Sequence, residues 1–109
     1  MKAAILELIQ KRQDVSFAEL ARDVPGFAAS DPAESFELGI DRPGVILWSG
    51  LSRHAFNAMR ALQTEGRIRA RSSGVMVYLI DGITLSLKVA KPGRSYKRCR
   101  WLPVTWRTT

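Results

Sequence analysis

The run LSRHAFNAMRALQTEGRI (51–68), continued by RARSSGVMVYLI (69–80), decides the fold, because the spacing of its apolar residues changes part-way through. Over 52–65 the spacing is helical. Ala55, Phe56, Met59 and Leu62 recur at intervals of three and four and predict one inward face. Ser52 stands where an N-cap belongs, Leu51 and Phe56 form the matching hydrophobic pair across it, and Gly66 occupies the position that favours a left-handed helix end. From Arg67 the period falls to two. Arg67, Arg69 and Arg71 alternate with Ile68 and Ala70, Ser72-Ser73-Gly74 reads as a turn, and 75–80 reads as a return strand. Residues 67–80 therefore predict a β-hairpin with one arginine-rich face.

Upstream, Ile5, Leu8 and Ile9, broadened by Leu6, predict an amphipathic helix over 2–13. Ser16-Phe17-Ala18-Glu19 is a capping box, in which the Ser16 hydroxyl accepts from the Glu19 amide, and Val15 and Leu20 form the staple around it. A helix of about two turns follows, and Pro25-Gly26 ends it. Residues 27–50 are irregular. Ala28–Glu34 reads as a loop, Asp31, Glu34, Glu37 and Asp41 gather in one acidic stretch, and Val45–Trp48 predicts a short strand after the Asp41–Gly44 turn. Downstream, Asp81-Gly82 reads as a turn and 83–90 as a half-buried strand. Trp101–Val104 reads as a further strand packed on the sheet, inside a basic, aromatic tail.

With 109 residues there is room for one domain. Apolar residues make up 46% and charged residues 25%, which excludes a wholly disordered chain. Residues 1–50 hold five bases and eight acids, whereas 51–109 hold twelve bases and two acids, so a net of −3 is joined to a net of +10. A basic half of this kind is what a polyanion binder shows, and twelve of the seventeen bases are Arg, whose planar fork matches phosphate and guanine.

The order helix, capped short helix, helix, hairpin resembles a winged helix-turn-helix domain. VSFAELA (15–21) is similar to the first helix of that motif, LSRHAFNAMRALQTEGRI (51–68) to its recognition helix, and 61–80 to the step into its wing. The resemblance implies an α+β fold of three helices plus a β-hairpin wing. Its core spans 2–80, within a single domain 1–109 that is extended over 81–109 by one or two C-terminal β-strands. One departure is plain: about two dozen residues separate the second and third helices, where the family has a short turn. The resemblance also implies double-stranded DNA as partner, a role in transcription regulation, the third helix in the major groove and the hairpin on the backbone or in the minor groove.

The candidate DNA-binding residues follow from the outward face of the third helix. Opposite its apolar set lie Arg53, Asn57, Arg60 and Thr64, one stripe without an acid, with the small Ala61 beside it. Arg pairs with guanine, Asn with adenine, and Thr meets a thymine methyl or a phosphate. Arg67, Arg69, Arg71 and Ser73 are the candidates on the hairpin, where three same-face arginines call for an anion across them. Pairing of those arginines with the acidic 31–41 loop is the alternative. His54 reads as a surface residue near the stripe, and Cys99 as an inert thiol.

No phosphate-binding loop, dinucleotide fingerprint, zinc-protease motif or nucleophile elbow occurs, so an enzyme is not expected. One Cys and one His exclude a zinc site of Cys and His from this chain alone, and no cofactor, metal or small-molecule ligand is expected. No apolar run nears the roughly 20 residues of a membrane span. Glu7 breaks the N-terminal apolar stretch, so no signal peptide is read there. The expected setting is soluble, reducing and cytoplasmic, without a membrane partner and with homodimerisation open. A second class of reading is a protein-interaction module, an adaptor, subunit or inhibitor that meets an acidic protein partner; RNA binding is a third.

Overall fold

A computed structural model of the chain describes residues 1–40, 42–81, 85, 87–91 and 93–109, the side chain of Asp81 excepted. Helix α1 (Lys2–Arg12) buries Ile5, Leu6 and Ile9. It ends in two left-handed residues, Gln13 and Asp14, at φ 52° and 51°. The Gln13 side chain then acts as a piece of strand: its amide donates to Thr108 Oγ1 at 2.8 Å and its carbonyl accepts from the Thr108 amide at 3.1 Å. This ties the helix end to the last strand of the chain. Strand β1 (Val15–Ser16) follows at once, and Ser16 caps α2 (Phe17–Asp23), its Oγ accepting from Glu19 N at 3.1 Å.

A 3-10 turn (Pro32–Glu34), β2 (Phe36–Gly39) and β3 (Val45–Leu51) come between α2 and α3 (Arg53–Thr64). Where irregular chain is expected over 27–44, the structure has a strand, and the expected 45–48 strand runs three residues further. Gly50, at φ +79°, lets β3 pass through an irregular register to reach Leu51. The excursion closes on itself: Ser52 N donates to Phe27 O at 2.9 Å and Ala29 N to Gly50 O at 2.8 Å. The two dozen residues of 28–51 thus leave and return at one point, so α3 starts where a short turn from Phe27 would have placed it.

After α3 come β4 (Ile68–Ser72), α4 (Met76–Asp81), β5 (Arg100–Trp101) and β6 (Val104–Thr108). One antiparallel sheet has the order β1-β6-β4. The second has the order β2-β3-β5, with β3 and β5 parallel. The excursion 28–51 and Arg100–Trp101 of β5 therefore meet in the second sheet. An aromatic cluster joins both sheets to the helices: Phe17 stacks on Trp48 at 5.7 Å, Trp106 meets Phe17 edge-on at 5.7 Å, and Tyr78 lies 5.2 Å from Trp48 and 4.9 Å from Trp101.

The return strand expected over 75–80 is a helix instead, so the described chain has four α-helices and no 67–80 hairpin wing. The reason is tertiary. The place beside β4 is taken by β6, in register Ile68↔Thr108 to Ser72↔Val104, and residues 73–103 intervene. Val75 O accepts from Tyr78 N and Leu79 N at 3.0 and 3.1 Å, which closes a helical turn. The turn aims Tyr78 alone fully inward, and β propensity yields to that burial. Its hydroxyl accepts from Phe17 N at 3.1 Å and donates to Val104 O at 2.7 Å.

Of the strand expected over 83–90, residues 83, 84 and 86 lie outside the described residues, as do Gly82 of the turn before it and Asp41 of the acidic stretch. The described remainder makes one parallel bridge, Val89↔Trp101. The strand expected over Trp101–Val104 divides in two around Leu102-Pro103, with Trp101 in the second sheet and Val104 in the first. Among the described residues no helix is long and apolar enough to cross a membrane.

Candidate nucleic-acid interface

Helix α3 is held at its start by Ser52, whose Oγ accepts from Ala55 N at 3.2 Å and donates to Gly26 O at 2.6 Å. Its core face is Ala55, Ala58, Met59 and Leu62. Phe56, expected among them, is half-buried at the flank, where the Phe36 ring stacks on it at 5.3 Å; Ala58 takes the inward place. At 100° per residue the direction opposite the core holds Arg53, Asn57, Arg60 and Thr64, and all four are exposed. Ala61 is half-buried and His54 exposed at the edge of the stripe.

Two of the stripe residues rest on aromatic rings supplied by the flank. The Arg53 guanidinium lies 5.8 Å from the Phe36 ring and that of Arg60 5.7 Å from the Phe56 ring. Strand β2 runs beside α3 in the same direction: Phe36 meets Phe56, and Glu37 to Ile40 share a groove of about 480 Å3 with Phe56, Arg60, Gln63 and Thr64, so one acid stands beside the stripe. A second groove, about 460 Å3, sets Asp31 and Glu34 beside Arg53. Asp31 and Glu34 of the acidic stretch therefore neighbour the start of α3.

The arginines of 67–71 are exposed but separate from that stripe. Arg69 stands directly opposite Arg107 in the β4–β6 register, and Arg69, Ala70, Arg71 and Arg107 line one cleft of about 350 Å3. Among the described residues Arg69 and Arg71 have no ion-pair partner, Arg67 approaches Glu65 at 3.9 Å, and Arg107 meets Asp14 at 3.5 Å. Arg67 faces α1, sharing a groove with Lys2, Leu6 and Gln10. Ser73 is no hairpin tip: it is half-buried, its N–H bonded to Pro103 O at 3.1 Å, on the way into α4.

The expected residues thus fall into a helix stripe, a sheet-face cluster and, for Arg67, a place beside α1. Arg107 was legible only as part of a basic tail, since its partner strand lies more than thirty residues earlier. Among the described residues no cluster of His, Cys, Asp or Glu could hold a metal ion. Compared with known proteins, the chain matches no family model, no curated protein and no solved structure.

Proposed function

We propose that the chain binds double-stranded DNA as a small transcriptional regulator of winged-helix type, with α3 in the major groove. The observation that carries this reading is the exposed, acid-free stripe Arg53-Asn57-Arg60-Thr64 on a helix whose opposite face is fixed in the core. All four side chains on it have donor patterns or surfaces suited to base edges. The order α1, α2, α3 and then an antiparallel pair is what the resemblance implies, with β6 in the place of the second hairpin strand. Closure of the 28–51 excursion at Phe27 and Ser52 supports it further, since the chain then enters α3 close to the point where it left α2.

The test is a titration of a random-sequence duplex at several salt concentrations. Each phosphate neutralised contributes about −0.9 to the slope of log K against log salt, so three to six contacts give roughly −3 to −5. A flat or undetectable response refutes the reading.

A protein-interaction module is the second reading, and one observation favours it. Met76, Leu79 and Ile80 of α4 are 63%, 54% and 80% exposed. Large apolar side chains grouped in this way mark protein contacts more often than nucleic-acid ones. Flat salt dependence on DNA, with self-association or partner binding lost in Ile80→Lys, would favour that reading.

A further inference from the structure

We infer that the cations of 88–91 and 93–100 form a second phosphate-contacting element for duplex DNA, set toward the C-terminal end of α3 by the tip of the β2–β3 hairpin. The inference rests on the proposed DNA binding and adds to it a surface that neither the helix stripe nor the arginine strand includes.

Lys88, Lys91, Arg94, Lys97, Arg98 and Arg100 fall within thirteen residues that hold no acid. The first five are exposed, and among the described residues none of the six has an ion-pair partner. Six like charges this close repel one another, and an anion lying across them relieves that repulsion.

The segment is also clamped. Tyr96 N donates to Pro43 O at 2.9 Å, Arg100 N to Gly44 O at 2.7 Å and Lys91 N to the Tyr96 hydroxyl at 2.9 Å. The Arg100 guanidinium covers the Tyr96 ring at 4.6 Å. Gly44 sits at φ +73°, and a Cβ there would lie 2.0 Å from Tyr96 O, so the two backbones meet with no room for a side chain. A charged run that served only solubility would need no such seat.

The seat fixes where the charge goes. Phe36 shares a groove with Ser52 and Arg53 at the start of α3, and Glu37 to Ile40 share one with Phe56, Arg60, Gln63 and Thr64, so β2 leads along α3 and the hairpin tip that holds Tyr96 lies toward its C-terminal end. Arg60 and Thr64 of the stripe lead toward that end. A duplex whose bases meet the stripe would carry its backbone past the tip, and a phosphodiester strand is the anion that supplies evenly spaced charge along such a surface.

Cys99, exposed and the single cysteine of the chain, is a built-in reporter between Arg98 and Arg100. Maleimide alkylation of the wild-type protein is timed alone, with saturating random-sequence duplex, and with polyglutamate of matched charge. The salt slope is then measured for Lys97→Ala/Arg98→Ala, whose exposed side chains leave the fold intact, and for Lys11→Ala as a charge control. The expected result is several-fold slower alkylation with duplex only, a slope reduced by about 1.8 in the double variant at about 0.9 per phosphate, and no change in the control. Unslowed alkylation with duplex bound, or an unchanged slope in the double variant, overturns the inference while the helix reading stands. Equal protection by polyglutamate overturns the choice of a phosphodiester. Failure of the wild type to bind duplex overturns both readings together.

Discussion

Tyr78→Phe removes one oxygen and leaves a ring-shaped hole filled. The ring keeps its neighbours Trp48 and Trp101, so no cavity term arises. The hydroxyl, however, accepts from Phe17 N at 3.1 Å and donates to Val104 O at 2.7 Å inside the core. Phe17 N is an amide of the first turn of α2 with no partner inside the helix, and Val104 O stands at the start of β6. Both lose their partner together. A stranded buried main-chain group costs about 1–3 kcal/mol, so with two of them the variant should lose about 2–6 kcal/mol. For a domain of this size that lowers the melting midpoint by roughly 10–30 °C. Urea unfolding should show the loss in the midpoint with the slope unchanged, because the surface exposed on unfolding is the same. A strand over 75–80 at the margin of the fold would instead leave the change within about 0.5 kcal/mol, the range of ordinary surface substitutions. A loss that small, at wild-type slope, would refute both the buried bridge and the docking of α4.

Other outcomes follow from single contacts. Ser16→Ala should cost about 1 kcal/mol or more in urea unfolding, since it removes the N-cap acceptor of α2 at a fully buried position, and duplex affinity of the folded protein should not change. Hydrogen bonds from Arg22, and next from Arg12, hold the Asp23 carboxyl at about 2 instead of 3.8. A carboxyl depressed in this way contributes stability above pH 3.8 that is lost as the pH falls through about 2, so Asp23→Asn should flatten the acid limb of the stability curve between those values. An acid limb as steep as that of the wild type would exclude the contact. Asn57→Ala or Arg60→Ala should narrow the gap between preferred and random duplexes by about 1–3 kcal/mol, read by competition binding; uniform weakening of all sequences would make the stripe an electrostatic one.

Local signals were legible where the energy is local. The Ser16–Glu19 box, the Ser52 cap and the periodicity of 52–65 each involve residues within one or two turns, and the structure has α2 and α3 where they fall. The stripe on α3 was legible for the same reason, because a helix with a known inward face has a determined outward one. Alternation over 67–72 correctly gave a strand. It could not give the partner, since pairing with 75–80 or with 104–108 places the same backbone groups in the same bonds.

What chose between those partners is the burial of Tyr78, Trp101 and Trp106 in one aromatic cluster, a gain that involves residues far apart in the chain and appears in no window of the sequence. That choice turned an expected hairpin strand into α4, set Arg107 across from Arg69, and brought Tyr96 and Arg100 against Pro43 and Gly44 of the β2–β3 hairpin. The sequence by itself determined the charge of the second half and the faces of its helices, because composition and period are local properties. Only the tertiary structure decided which charged segments stand together, because that depends on which distant apolar side chains share a core.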